Sequence, residues 1–293
     1  MAGPYARKLT AAVRTLLRRK VIDLQALSAG RLRADSLQKT VARDPALAET
    51  DLAHAVYVYV HNQVSVFSEI LTALPEMQHL TDLLVAAEDK YMPSGPPWSP
   101  LTGSYFWSWA FFDAGLGAER ETIGTCIQAL AGVVPMHPEF LRLLGLLQAA
   151  RMGLYIHEGV SGPHVRLREF VTGERRTALV PCGYGGRPGE LWLARVLPPP
   201  LPEGEVHIVF TTPYVLRKPD ERQWNAYLDR TLPKVEPADR RTAYELLMKW
   251  GLDRNYWNEF IFEAYDGHQF DAVFLAGLPD VETSRPCSRA NRS

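Results

Sequence analysis

Residues Arg151–Leu216 read RMGLYIHEGVSGPHVRLREFVTGERRTALVPCGYGGRPGELWLARVLPPPLPEGEVHIVFTTPYVL. This is the long part of the chain in which apolar residues recur at every second position, the period of a half-buried strand. Leu154-Tyr155-Ile156-His157 reads as a strand and Ser161-Gly162-Pro163 as a turn. His164–Val171 alternates polar and apolar, Thr172-Gly173 reverses the chain, and Arg175–Pro181 is the return strand of a hairpin. Gly183-Tyr184-Gly185-Gly186-Arg187-Pro188-Gly189 is a loop carrying four glycines. Glu190–Leu197 is an apolar strand with one odd charge, Arg195. The prolines within Pro198–Pro202 cannot lie inside a sheet. Glu205–Thr211 is another strand, and Pro213–Leu216 a short one after it. Four to six strands joined by short turns form an antiparallel, strongly curved sheet or barrel-like unit.

Outside this stretch the period is helical. Residues 5–28 carry Leu9, Val13, Leu16, Leu17 and Leu24 on one stripe, with Arg14, Arg18 and Arg19 largely off it and a capping Gly30 beyond. Residues 35–48 read as a short helical connector, and 51–74 as a buried helix in spite of the strand-like VYVYV within it. Further helices follow over 76–91, 121–134 and 138–150. The aromatic run Tyr105, Phe106, Trp107, Trp109, Phe111, Phe112 has no Lys or Arg nearby, so it reads as a buried cluster between helical layers. After the strands come helices over 219–231, 239–250 and 255–265, an apolar segment Phe270–Ala276, and a polar tail. The expected fold is α+β: a helical region 1–150 packed on an antiparallel β unit 151–216, closed by C-terminal helices and a short strand over 217–281, with a disordered tail at 282–293 and one integrated domain.

Composition bounds the function loosely. The chain has 293 residues, 46% of them hydrophobic and 22% charged, enough for a sizeable core. Its net charge of -1 gives no global bias toward nucleic acid. The bias is local: residues 1–50 hold ten Lys and Arg against four acids, which leaves a nucleic-acid or membrane-surface role for the first helix as an alternative to a solvated face. Three cysteines, Cys126, Cys182 and Cys287, make no disulfide framework and no CxxC pair, so a cytoplasmic location is expected. No run reaches the roughly 18 apolar residues of a membrane span, and no secretory signal is evident, although the Arg-rich N-terminus has the composition of a mitochondrial presequence.

Chemistry-bearing residues concentrate in the β unit. His157 and Glu158, with His164 across the turn, are weak catalytic candidates as an acid–base pair, and His207 lies on a later strand. Arg166 and Arg168 share a strand face and, with Tyr184 and Arg187, are weak ligand-binding candidates for an acidic or phosphate group. Arg151, Arg175, Arg176 and Arg195 complete the arginine set. The glycine loop lacks GK[ST] and runs into a strand instead of a helix, so it reads as a turn needing positive φ and no cofactor is expected. His54 and His61 are seven apart, wrong for a one-turn ligand pair, and Asp266, His268 and Asp271 read as an acidic turn, so no metal is expected. Cys126, in apolar surroundings, reads as a structural thiol.

The segments Leu167–Glu174, Gly186–Pro200 and Thr211–Leu216 are similar to a β-rich module found beside SEC-C zinc motifs. With Ser99–Asp113, Glu121–Cys126, Arg151–Gly159 and Tyr256–Asp280, residues 91–280 resemble a family of uncharacterised bacterial proteins. The clustered Cys and His of SEC-C are missing, so the resemblance carries over no zinc role, and it implies no activity. The expectation is a soluble bacterial protein, a non-enzymatic binding module or adaptor that meets an unidentified protein or small molecule on its β unit. The alternatives are a hydrolase-type enzyme with a His/Glu/Arg cleft between sheet and helices, and nucleic-acid binding through the basic N-terminal helix. Enzymatic activity is left open.

Overall fold

A computed structural model describes residues 3–18, 52–72, 74–91, 96–97, 99–201, 203–235, 239–269 and 271–281. The expectations for the end of the first helix, the connector at 35–48 and the tail at 282–293 lie outside the described residues.

The β unit closes on itself. Its strands are β1 (Met152–Ser161), β2 (His164–Glu169), β3 (Arg175–Leu179), β4 (Leu191–Leu197), β5 (His207–Val209) and β6 (Tyr214–Lys218). β1, β2 and β3 form an antiparallel meander, and β4 returns to pair with β1 from Met152↔Arg195 to Ile156↔Leu191. That is a Greek key. β5 then lies between β4 and β3 and completes a five-stranded barrel.

β1 pairs along both edges, and Tyr155 and Ile156 have partners on each side. Its first half pairs with β4 and its second with β2, and the register slips between His157 and Gly159. Gly159 takes φ 117, which only glycine adopts without strain, and the resulting bulge sharpens the curl that closes the barrel.

The unit is not purely antiparallel. β3 and β5 pair in parallel, because β4 and β5 form the hairpin and β5 therefore runs the way β3 does. Beyond Phe210, β6 continues along β4 but leaves the barrel and pairs in parallel with β8 (Ala272–Ala276), which is joined antiparallel to β7 (Tyr265–Gln269). The sequence reading placed Tyr265 at the end of a helix. The helix stops at Glu263, and YDGHQ is an edge strand whose polar composition hides it.

Nine helices are described: α1 (Pro4–Arg18), α2 (Leu52–Thr72), α3 (Gln78–Tyr91), α4 (Ser104–Phe112), α5 (Ile123–Leu130), α6 (Pro138–Ala149), α7 (Glu221–Thr231), α8 (Arg240–Trp250) and α9 (Tyr256–Glu263). α1, α2, α5 and α6 share one core with Leu179, Leu197, Ile208 and Phe210 of the barrel wall. α7, α8 and α9 cover the other wall through Trp224, Tyr244 and Trp257 against Leu154, Leu193 and Tyr214. Short α4 belongs to both cores: Tyr105, Phe106 and Trp109 face the second, Phe111 and Phe112 the first. Each of these buried side chains contributes about 1.5–3 kcal/mol when removed from water, but Trp107, expected in the same cluster, turns outward and is 51% exposed. The barrel interior is a third core of Tyr155, Val165, Leu167, Ala178, Trp192, Ala194 and Val209.

The first turn of α1 is capped from a distance. Glu121 is buried and accepts from Tyr5 N and Ala6 N, both at 2.8 Å, two of the amides a helix start leaves unpaired. Its apolar stripe, Leu9 and Val13, packs into the helical core, while Lys8, Arg14 and Arg18 are exposed.

Candidate functional site

A groove of about 740 Å³ opens where β4 begins. β4 and β6 are paired only from Leu191↔Leu216 onward. Before that point the chains diverge, β4 into the glycine loop and β6 into Arg217, Pro219 and the start of α7. The groove lies in this gap, walled by Tyr184, Gly186, Arg187, Pro188 and Glu190 on one side and by Val215, Leu216, Arg217, Asp220 and Glu221 on the other. Gln269 and Phe274 close it from β7 and β8.

The glycine loop is shaped by backbone need. Gly183, Gly186 and Gly189 all take positive φ, as the turn reading expects. Gly186 has a second reason to be glycine. A Cβ there would stand 2.3 Å from the Trp192 ring and 3.1 Å from both Glu190 Oε2 and His157 Cδ2. The loop therefore lies directly on the end of the barrel core.

Beneath it the polar groups hold one another. Tyr184 OH donates to the Glu190 carboxylate at 3.1 Å, and Trp192 Nε1 donates to the same group at 3.0 Å. Burial and the adjacent carboxylate push the Tyr184 phenol up to about 12, so it stays a donor. His157 is fully buried against Trp192, with ring centroids 4.9 Å apart. Its Nδ1 accepts from Gly159 N at 3.2 Å, so the neutral ring carries its proton on Nε2. Nε2 has no hydrogen-bond partner of good geometry, although the nearby backbone of Gly185 and Arg187 favours the cation. Burial prevails and holds the His157 pKa below the usual histidine range.

The histidine candidates do not gather. His157 is an interior residue, not a strand end in solvent, because it shares the parity of Tyr155. It pairs across to Leu167, whereas His164 pairs to Ser161 at the turn and His207 to Ala178 on β3. Glu158 points to the outer face and is held by Arg168 at 2.9 Å and Arg175 at 3.1 Å. Burial opposes its ionisation, but the bonds from Arg175 and Arg168 outweigh that and hold its carboxyl below the usual range. The His157–Glu158–His164 acid–base cleft is therefore not formed: neighbours on a strand face opposite ways.

The arginines separate into two populations. Arg166, Arg168 and Arg175 lie on the outer face of β2 and β3. Arg166 Nη2 and Pro188 Cγ stand 3.3 and 3.9 Å from the point a Cβ on Gly159 would occupy, which joins that face to the groove. Arg187 is exposed on the groove wall and pairs with no carboxylate among the described residues. Arg217, with no signal in the sequence to single it out, lies 3.7 Å over the Phe274 ring and 3.4 Å from Asp266.

The other population is structural and sits where β4 ends. Arg195 is fully buried, pairs with Asp113 and donates to the carbonyls of Leu147 and Ala150 at the end of α6. Lys249 of α8 reaches Asp113 at 2.7 Å and the carbonyls of Gln148 and Ala150. Burial lowers the Lys249 pKa to about 8 against the pull of Asp113. Nearby, buried Glu169 lies between Arg151 at 2.8 Å and Arg176 at 3.4 Å. The chain of pairs continues through Glu174, Arg241 and Glu245.

The remaining candidates resolve singly. Cys126 is a buried free thiol whose pKa burial pushes up to about 12. His54 and His61 flank the Tyr57 ring. Asp266 pairs with Arg217, His268 with Tyr265, and the Asp271 carbonyl accepts from Cys182 Sγ. Among the described residues no group of three or more His, Cys, Asp and Glu is placed to hold a metal, and no helix is long and apolar enough to cross a membrane.

Comparison with protein-family models, with curated proteins and with solved structures finds no match to this chain. Five-stranded Greek-key barrels, the class that includes OB-type folds, host unrelated functions, so the barrel alone assigns none.

Proposed function

We propose that this chain is a non-enzymatic binding protein and that the groove at the start of β4 is its recognition site. The observation that supports this is the makeup of the groove: a mainly polar lining over a buried apolar floor of Leu191, Val215, Leu216 and Phe274, with Arg187 beside it, a cation with no carboxylate partner among the described residues. Apolar side chains with placed polar groups are the usual makeup of a ligand site. Glu190 and Tyr184 are committed to each other, which suits them to shaping the wall and not to moving protons. A bacterial setting and kinship with the module beside SEC-C motifs belong to the same proposal and rest on the sequence resemblance alone, and a cytoplasmic setting rests on the cysteine usage.

A fragment collection screened by ligand-observed NMR tests the reading. Glu221 and Gln269 line the groove and are exposed, so Glu221→Trp with Gln269→Trp fills it without disturbing the core. The expected result is that anionic fragments receive saturation from the wild type and lose it with the filled variant. Equal saturation from both proteins, or from neither, overturns the groove as the site.

A further inference from the structure

The groove does not end at Arg187. Past Pro188 it meets Arg166, and Arg168 and Arg175 follow on the adjoining strands. Along this barrel wall, among the described residues, four guanidinium groups lie with two carboxylates, Glu158, which Arg168 and Arg175 share, and Glu190, which Tyr184 and Trp192 hold. The far wall has the opposite character. Arg217 is engaged by Asp266 and Phe274, Asp220 caps α7 by accepting from Gln223 N, and Glu221 is exposed. The groove is thus mainly polar at its surface over an apolar floor, cationic toward β2 and acidic toward α7.

We propose that its occupant is an extended polypeptide segment with acidic residues on one face, its carboxylates on Arg187, Arg166, Arg168 and Arg175 and its apolar side chains between the glycine loop and β6. This deepens the reading of the same groove and rests on it. An extended chain presents alternate side chains to opposite sides, which matches a groove whose two walls differ in sign. Arg166 and Arg168 are two residues apart on β2, roughly 7 Å, and that is also the spacing of alternate carboxylates in an extended ligand. Guanidinium groups bind carboxylates bidentately, and Arg166 and Arg187 do so without first losing a carboxylate partner among the described residues, whereas Arg168 and Arg175 share Glu158. A single-stranded nucleic acid fits less well, since it needs rings on which bases stack. The outward side chains of β2 and β3 beside the arginines are His164 and Thr177, Trp192 and Phe274 are buried, and the one half-exposed ring of the groove wall, Tyr184, is tied to Glu190.

The test is fluorescence anisotropy with three labelled probes: a dodecapeptide with Glu at alternate positions and Leu or Ser between, the same peptide with Gln for Glu, and a thymidine dodecanucleotide. The Glu peptide is expected to bind about tenfold more tightly than the Gln peptide, and to weaken between about 50 and 200 mM salt. The double variant Arg166→Glu, Arg187→Glu changes two exposed residues and should erase the difference while the circular dichroism spectrum is unchanged. Equal binding of the Glu and Gln peptides, tighter binding of the oligonucleotide, or an unaffected double variant overturns the inference. If the Glu peptide fails while anionic fragments still occupy the groove, the site stands and the occupant's class falls.

Discussion

The two ends of β4 use the same residue type for opposite purposes. Where the strand ends, Arg195 is fully buried and its charge is answered by Asp113 and two helix-end carbonyls. Where it begins, Arg187 projects from a glycine loop into solvent and forms no ion pair among the described residues. A buried guanidinium that loses its partner is costly, so the first must be a fixed part of the fold. An exposed one costs the fold almost nothing to keep unpaired, so the second is free to meet something else. Burial and partnership, not residue type, separate the structural arginines from the candidate site.

The largest blow to the structural end is Asp113→Ala. It strands Arg195 and Lys249 in a buried site, and such losses run to about 3–5 kcal/mol. Urea unfolding of the two proteins measures it, and a difference below about 1 kcal/mol, the range of an exposed pair, would remove the contrast.

Lys249 sharpens the same end through pH. Its pKa is about 8 in the fold, below the ordinary lysine value of 10.5 that serves for the unfolded chain. Between those values the unfolded chain binds the extra proton, so the wild type gains stability as pH rises through this window. Lys249→Met lacks the titration. The stability of wild type relative to Lys249→Met should therefore be level below pH 8 and rise by up to about 3 kcal/mol toward pH 10.5. A flat difference across the window means that Lys249 is not held as a buried cation.

Gly186→Ala probes the other end. It places a Cβ at φ 62 and 2.3 Å from the Trp192 ring, so either the loop lifts or the ring moves. A cost of roughly 1–3 kcal/mol is expected. Trp192 fluorescence reports which gives way: a red-shifted emission shows that the loop has lifted off His157 and Trp192.

The strands were legible because period two and the Gly and Pro punctuation are local signals, and Arg166, Arg168, Tyr184 and Arg187 stood out on strands and loop for the same reason. A curved sheet or barrel-like unit was legible, but the pairings that close it were not. Whether β4 returns to β1 and β5 to β3 is decided by pairings across the chain that no local pattern records. Arg195 shows the halfway case. Its oddness in an apolar strand marked it, but its partners Asp113 and Lys249 lie on helices far away in sequence. His157 was grouped with Glu158 and His164 because the strand was read as ending at His157, whereas β1 runs on to Ser161. Its parity with Tyr155, available from the sequence, points it into the barrel. Arg217 and strand β7 gave no signal, since one is a polar residue at a strand terminus and the other is polar throughout.

The smallest expected effect completes the comparison. Arg166 and Arg187 are exposed, and neither forms an ion pair among the described residues. Arg166 makes only a long contact of 3.4 Å to the Glu158 carbonyl. Replacing both with Ser should shift unfolding free energy by no more than about 0.5 kcal/mol, as surface changes generally do. If like charges along the wall repel, the shift is a slight gain, larger at low salt. A loss of about 2 kcal/mol or more, the scale of a broken buried interaction, would mean that these arginines hold the glycine loop in place. They would then belong with Arg195, and the groove would lose the cations that make it a site.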